Sequence, residues 1–331
     1  MILTGLALLL LVLLGAPLFA VIAASTLLAF ARTDADLTVV IIEIYRLAEM
    51  PVLLAIPLFT FAGYLLAESR APQRLVRITN ALLGWLPGGL AAVVLVVCAL
   101  FTAFTGASGI TIVALGALLY PALKQAGYPE RFNLGLITTS GSIGLLFAPS
   151  LPLILYSVVA QQLNIGQPVA IGDLFIAGIL PGILIIALLA IWGLWQQRSH
   201  EIPQAPFSTR EALAAVRDAA WELPLPIIVL GGIYSGYFAV SEAAAVTALY
   251  VLIVEVFIHR EIRLPDLPGV MRESMVLVGA ILIVLSMSLA STNYLLDAEV
   301  PAQLFAYIRE HVQDKYGFLL LLTLFLLVLG M

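Results

Sequence analysis

Two long stretches of the chain carry no charged side chain and yet contain residues that interrupt helices. Asp, Glu, Lys and Arg are absent from 78–123 and from 132–172. Each stretch holds a cluster of glycine, proline or hydroxyl residues, at 101–109 in the first and at 138–152 in the second. A broken helix in hydrocarbon leaves backbone groups unpaired unless that backbone is buried or lines a cavity. The sequence therefore predicts a binding site built from broken helices at membrane depth.

The composition places the whole chain in the membrane class. Hydrophobic residues make up 62% of the 331 residues and charged residues 11%, a balance that water-soluble domains do not show. The first apolar run, 2–30, lacks a basic start and is longer than the apolar part of a signal peptide. We predict that it is a retained membrane helix with a kink at Gly15-Ala16-Pro17. The predicted fold class is an all-α polytopic membrane protein.

The positions of the arginines predict the topology, because short loops rich in Arg and Lys stay in the cytoplasm. If both ends of 84–123 lie on that side, this segment is a re-entrant helical hairpin. The segment 132–160 then crosses outward as an interrupted helix, and 174–195 returns. Three loops stand out for their arginines: Arg70, Arg74 and Arg77; Arg198, Arg210 and Arg217; Arg260, Arg263 and Arg272.

The second half of the chain is predicted to repeat the first with the opposite orientation. The sequence from Glu68 to Leu75 weakly matches that from Ala298 to Leu304, with a shared Pro-x-x-Leu pattern and an amphipathic stretch after it. Chance is the alternative explanation of so short a match. We predict a first inverted repeat at 1–195, a cytoplasmic linker at 196–222 and an incomplete second repeat at 223–331, the plan of many secondary transporters.

The last apolar run ends at Gly330-Met331 after about 14 residues, fewer than the roughly 20 that span a bilayer. We expect a fragment or a truncated reading frame that lacks a second hairpin and a second interrupted helix. A short terminal helix in or near the membrane interface is the alternative.

Neutral oxygens are the groups available for binding in the two uncharged clusters. Freed carbonyls and hydroxyls suit a bare alkali cation, while half-helix N-termini suit a carboxylate. Sodium-coupled uptake of an organic anion fits both. Small residues also mediate tight helix packing in membranes, but their clustering with hydroxyls and prolines favours binding. The predicted ligands are the hydroxyls of Thr105, Ser108, Ser140 and Ser142, with Gly106, Gly109, Gly141 and Gly144 allowing close backbone approach.

Other functional classes find no support in the residues. The chain has no P-loop or nucleotide fingerprint, and its three histidines lack metal-ligand spacing, so we predict that it is not an enzyme and has no cofactor. Glu242 follows Ser241 at a predicted helix start, where an acid ordinarily caps the helix. Glu255 is expected to lie near a membrane end and to reach water, with pairing to a neighbouring helix as the alternative.

Four segments stand in a characteristic order: Ile56-Pro57-Leu58-Phe59 with Gly63, Phe104 to Gly109, Ser140 to Pro152, and Tyr234 to Ala245. Together they resemble the large membrane subunit of tripartite ATP-independent periplasmic (TRAP) transporters, and the resemblance covers nearly the whole chain.

The resemblance implies a sodium-driven, elevator-type importer of organic acids such as C4-dicarboxylates or sialic acid, in the bacterial inner membrane. It also implies two partners, a small four-helix membrane subunit and a periplasmic substrate-binding protein. A stand-alone sodium/carboxylate symporter and a non-transporting truncated remnant remain alternatives. By position, the implied sodium site comprises Thr105, Gly106, Ser108, Gly109, Ser140, Gly141 and Ser142, and the implied substrate site Thr138, Pro149 and Ser150.

Overall fold

The computed structural model describes residues 2–32, 38–86, 89–162, 169–197, 207–312 and 314–329. These residues are mostly α-helical and include no β-strand, which confirms the predicted all-α class. The α-helices within these ranges are α1 Ile2–Leu13, α2 Leu18–Phe30, α3 Thr38–Ala48, α4 Ala55–Glu68, α5 Ala71–Leu83, α6 Gly89–Thr105, α7 Ser108–Gln125, α8 Glu130–Ile143, α9 Leu151–Gln162, α10 Ile171–Gln197, α11 Thr209–Asp218, α12 Pro224–Tyr234, α13 Val240–Leu252, α14 Leu267–Asp297, α15 Val300–His311 and α16 Lys315–Leu329.

Several of these helices are long and apolar enough to cross a bilayer. Four such spans occur in the described ranges, and a bent pair, Glu130–Leu146 with Leu151–Gln161, makes a fifth if it counts as one span. The chain is therefore a multi-pass membrane protein. The four spans are Pro51–Glu68, Ile171–Gln196, Val240–Ile258 and Leu264–Asp297.

The chain divides into two compact units, one formed by 1–49 with 280–331 and the other by 50–279. In the first unit, the predicted kink is a full interruption between α1 and α2, where Gly15 has φ +80°. Phe30 of α2 packs edge-on against Tyr294 of α14 with ring centroids 5.4 Å apart. The last described helix, α16, has 15 residues. Gly330 and Met331 lie outside the described residues.

The second unit has its core around α6. Val93, Val94, Leu95 and Cys98 of this helix are fully buried, because α4, α7, α8 and α10 all pack on it. On another side, α13 packs along α4 through small residues, which permit a close helix–helix approach. This core positions the two interrupted segments described below.

Arg74 and Arg77 lie on an amphipathic helix, α5, rather than in a loop, and Arg70 directly precedes it. Helix α5 buries Ile78 against Ala215 and Ala219 of the segment that begins with α11. It starts with a proline in its first turn, and so does α15, so the two segments that match in sequence both begin helices after a span. The repeat and the domain boundaries at 195 and 222 stay predictions. Residues 198–206 of the predicted linker lie outside the described ranges.

Helix α12, at the start of the predicted second repeat, is short. It ends at Tyr234 after 11 residues, because the chain turns back at Gly236, which has φ +74°. The amide of Phe238 donates to the carbonyl of Gly232 at 3.0 Å and closes this turn. Ala239 is the N-cap residue of α13.

Candidate functional site at the tip of the helical hairpin

The predicted hairpin consists of α6 and α7, joined by Gly106 and Ala107. Gly106 has φ +66°, a conformation that costs a side-chain-bearing residue free energy and that glycine adopts readily. The chain can therefore reverse direction within two residues. Its re-entrant placement in a bilayer stays a prediction, and Pro87 and Gly88 at its start lie outside the described residues.

Three buried threonines form the interior of this tip. Thr102 Oγ1 lies 2.7 Å from Thr111 Oγ1 and 3.0 Å from the carbonyl oxygen of Gly141. Thr105 Oγ1 lies 3.3 Å from the same Thr111 hydroxyl. All three threonines are fully buried. The network therefore ties both arms of the hairpin to the interrupted helix.

Close backbone contacts hold the tip against its neighbours. A Cβ added to Gly63 of α4 would lie 2.4 Å from the Cα of Thr105, and one added to Gly144 would lie 2.4 Å from the carbonyl oxygen of Ala99. Real Cβ atoms do not approach other atoms so closely. Glycine is therefore required at both positions for α4 and the interrupted helix to contact α6 directly.

The second break separates α8 from α9. A short 3-10 turn, Gly144–Leu146, follows α8, and the two halves of the bent pair meet at 44°. This is the interrupted helix predicted at 132–160. A Cβ added to Gly106 would lie 2.4 Å from the side chain of Leu151, so the break and the hairpin tip are adjacent.

The structure brings together part of the predicted sodium site. Thr105, Gly106 and Ser108 lie at the tip, and Gly141 faces it, since a Cβ on Gly141 would lie 3.4 Å from the carbonyl oxygen of Ser108. Ser140 is buried and donates to the carbonyl of Ile137 at 3.0 Å.

The remaining predicted residues differ in their exposure. Gly109 and Ser142 are exposed, as is Thr138, whose hydroxyl donates to the carbonyl of Leu134 at 2.8 Å in its own helix. Of the predicted substrate residues, Pro149 and Ser150 are buried in the break. Ser150 donates to the carbonyl of Leu145 at 2.5 Å.

Sequence reasoning missed three threonines. Thr102 and Thr111 connect the two arms of the hairpin through their hydroxyls. Thr60 of α4 lies one turn before Gly63 on the same face. Thr60 is fully buried, and within the described ranges its hydroxyl has no hydrogen-bond partner. The available signal was helical spacing, because 102 and 105, and 108 and 111, are three residues apart and so share a face.

The chemistry of the tip is that of neutral oxygens at a helix end. The last carbonyls of a helix lack intrahelical partners, and the carboxyl end of the helix dipole favours a cation. Helix α6 ends at Thr105 beside the threonine hydroxyls. In the described part of the chain, no group of three or more His, Cys, Asp or Glu side chains could hold a metal ion. Hydroxyl and carbonyl oxygens such as those at the tip are hard ligands, which suit a hard cation better than a soft one.

Two glutamates outside the tip were also assigned from the sequence. Glu242 caps α13 as predicted, since its carboxylate accepts from the amide of Ala239 at 2.8 Å. The expectation that Glu255 reaches water is wrong. Its side chain is fully buried and lies 3.4 Å from Arg74, because a π-helical turn, Ile253–Ile258, packs it inside the second unit. Pairing with a neighbouring helix was the correct alternative.

The chain matches a protein-family model along almost its full length. Residues 5–331 match the model described as "Tripartite ATP-independent periplasmic transporter, DctM component". This match includes the hairpin, the interrupted helix and both compact units.

Curated relatives agree with this match. The chain is 33% identical over 290 residues to the C4-dicarboxylate TRAP transporter large permease protein DctM of Pseudomonas aeruginosa, covering 87% of this chain and 66% of that protein. It is 31% identical over 309 residues to the DctM protein of Rhodobacter capsulatus, covering 91% and 70%. It is also 32% identical over 273 residues to the ectoine/5-hydroxyectoine TRAP transporter large permease protein UehC of Ruegeria pomeroyi, covering 82% and 62%.

The chain thus spans about two thirds of the length of the curated relatives that it matches. The shared segment contains both breaks from which the candidate site is built. On the strength of the family match and these identities, the chain belongs to the DctM family of TRAP transporter large permeases.

Proposed function

We propose that this chain is the large transmembrane subunit of a sodium-coupled importer of organic acids in the bacterial inner membrane. It works with a small four-helix membrane subunit and a periplasmic substrate-binding protein. The single observation that carries the proposal is the hairpin tip, where buried hydroxyls and helix-end carbonyls meet in a segment without charges. Family membership supports the transport class and the tripartite organisation.

The proposed sodium ligands are uncharged oxygens at the two breaks. Thr105, Gly106, Ser108 and Gly109 belong to the tip, and Ser140, Gly141 and Ser142 to the facing helix. The unpartnered hydroxyl of Thr60 adds an oxygen from α4, because a buried hydroxyl without a partner is costly unless an ion or water satisfies it.

The proposed substrate site lies at the break between α8 and α9. Thr138, Pro149 and Ser150 mark its position, and the amides at the start of α9 offer hydrogen-bond donors and a positive dipole end to a carboxylate. Relatives are named for C4-dicarboxylates, isethionate and ectoine, so we propose a small organic acid of the C4-dicarboxylate or sialic-acid type without choosing among them.

Sodium binding and transport are coupled, in this proposal, through the contacts between the breaks. Thr102 bridges to the Gly141 carbonyl, so the hairpin and the interrupted helix move as one body in an elevator mechanism. Sodium bound at the tip then changes the free energy of substrate binding at the adjacent break, which is the meaning of coupling between two sites.

Uptake into proteoliposomes tests the function. The chain is reconstituted with its small subunit, binding protein is added outside, and labelled succinate uptake is measured under a sodium or a potassium gradient. We expect uptake that requires both sodium and the binding protein. Equal uptake in potassium would remove the sodium claim. Uptake without the binding protein would favour the stand-alone symporter, and no uptake in any condition would favour a non-transporting remnant.

A substitution in the same assay separates binding from packing. Ser108→Val is expected to lower the apparent sodium affinity more than it lowers protein abundance, because it removes a proposed ligand at a half-buried position. Gly141→Val is expected to do the same. Equal losses of affinity and abundance would instead assign these residues to helix packing.

A further inference from the structure

A cluster of charged side chains lies inside the second unit, away from the hairpin tip. Arg74 of α5 pairs with three glutamates, with its Nε 2.5 Å from Glu222 Oε1 and its Nη1 2.6 Å from Glu261 Oε1. Its Nη2 lies 3.4 Å from both carboxylate oxygens of Glu255. The cluster joins α5, the turn before α12 and the segment that follows α13.

The cluster holds more negative than positive charge. Three carboxylates face one guanidinium, and the neighbouring His259 has its Nε2 3.8 Å from Glu222 Oε1, which is too long for a hydrogen bond. Glu222 is 5% exposed, and its Oε2 finds no partner among the described residues. The same holds for His259 Nε2. A buried site with unpartnered acceptors and excess negative charge attracts a cation.

The other polar groups around the cluster are already engaged. The amide of Arg70 donates to Glu261 Oε2 at 2.7 Å, and the side chain of Arg77 pairs with Glu211 and Asp218. The hydroxyl of Tyr250, on α13, donates to the carbonyl of Trp221 at 2.8 Å. The positive charge of Arg77 is therefore committed elsewhere.

Glu255 is the least compensated of the three carboxylates. It is fully buried, and its nearest cation lies 3.4 Å away, whereas charge-assisted hydrogen bonds are about 2.7–2.9 Å long. The neighbouring hydroxyl of Ser69 donates to the carbonyl of Leu66 at 3.0 Å. A buried carboxylate that is poorly paired is neutralised more readily than it is held as an ion.

We propose that this cluster is a proton-binding site in which the carboxyl group of Glu255 holds the proton. A hydronium ion of the solvent transfers its proton to one carboxylate oxygen, so one O–H bond of hydronium breaks, the carboxyl O–H bond forms and a water molecule is released. Arg74 then pairs at short distance with Glu222 and Glu261, and the excess of negative charge in the cluster falls from two to one. The π-helical turn that packs Glu255 inward is a distortion often found at functional sites. Binding of the proton changes the charge around Arg74, through which the cluster holds α5. Helix α5 leads into the hairpin.

Infrared spectroscopy of the purified full chain in detergent tests the proton directly. We expect the C=O stretching band of a protonated carboxyl group near neutral pH, where solvated glutamates are ionised. Glu255→Gln should remove this band, and Glu68→Gln, the same change at an exposed glutamate, should retain it. A wild-type spectrum without the band, or a band that persists in Glu255→Gln, would overturn the proposal.

The pH dependence of unfolding gives a second readout. In the unfolded chain, a glutamate releases its proton above about pH 4.3. If the folded chain keeps that proton, the folded state becomes less stable as the pH rises. We compare the unfolding equilibrium constant of the wild type with that of Glu255→Gln. From about pH 5 upward, and as long as Glu255 keeps its proton, the ratio of the first constant to the second should rise about tenfold per pH unit. Parallel curves would contradict the proposal. Neither readout involves transport, so their failure leaves the proposed function untouched.

Discussion

Single hydroxyl groups of the interrupted helix differ sharply in their surroundings. Ser140 is buried, whereas Thr138 and Ser142, two residues away on either side, are exposed. A helix turns about 100° per residue, so such neighbours lie on opposite faces. In a stretch without charged side chains, such as α8 from residue 132 onward, the face that turns inward depends on which neighbours pack against it, and here α6 and α7 do.

Thr102→Val tests the threonine network of the tip. Valine has nearly the same shape but loses the contacts of Thr102 Oγ1 with Thr111 and with the carbonyl of Gly141. A buried acceptor left unpaired costs about 1–3 kcal/mol. We expect a loss of this size in the free energy of unfolding, measured by denaturant titration in detergent. Thr323→Val, at an exposed threonine bonded within its own helix, should change it by less than about 0.5 kcal/mol.

Gly63→Ala tests the contact between α4 and the hairpin tip. The new Cβ would lie 2.4 Å from the Cα of Thr105, and backbone cannot move aside as a side chain can. We expect a destabilisation of about 1–3 kcal/mol, the usual cost of overpacking, and a lower melting temperature.

Gly135→Ala is the control for that clash, because a Cβ at Gly135 meets nothing within 4 Å. Alanine has the higher helix propensity, so the control should be neutral or slightly stabilising. Equal losses in both variants would show that α4 does not approach Thr105 as closely as described.

At the scale of elements, α5 is held by its ion pairs. Burial raises the pKa of Glu261, but hydrogen bonds from the Arg74 side chain and the Arg70 amide outweigh this effect and hold its pKa below the usual 4.5. Glu261 lies between two candidate spans. Its contribution to stability is therefore complete above about pH 4.5 and is lost as the pH falls through its folded value.

Acid unfolding of Glu261→Gln measures this contribution. The wild type should lose stability steeply below about pH 4.5, and the variant should show a shallower acid limb because it has no carboxylate to protonate there. At neutral pH the variant should also be less stable than the wild type, because the substitution removes one partner of a partly buried ion pair. An unchanged acid limb would mean that Glu261 contributes little to holding α5.

At the scale of the whole molecule, bound sodium should stabilise the chain. A ligand that binds only the folded protein adds about 1.4 kcal/mol at ten times its dissociation constant and about 2.7 kcal/mol at a hundred times. We expect a higher melting temperature in NaCl than in KCl at equal ionic strength. Ser108→Val should reduce the difference between the two salts, and equal melting temperatures for the wild type would argue against a sodium site in this chain.

The class of the molecule followed from composition and periodicity. Long apolar runs must become helices in a bilayer because each backbone donor and acceptor needs a partner there, so the all-α class, the hairpin and the broken α8–α9 pair were predictable. The positions of the breaks were also readable, since Gly106 and the 144–152 segment carry the residues that interrupt helices. The match near Pro72 and Pro301 likewise located two helix starts.

Tertiary packing decided which side chains face one another. Helical spacing groups such threonines on one face but does not show which face is buried. Buried Thr60, Thr102 and Thr111 and exposed Thr138 all lie in stretches without charged side chains. Glu255 shows the same limit. Its position near a span end suggested contact with water, but Arg74 reaches it from a helix about 180 residues earlier in the chain, and burial of that pair depends on contacts between elements that no sequence window contains.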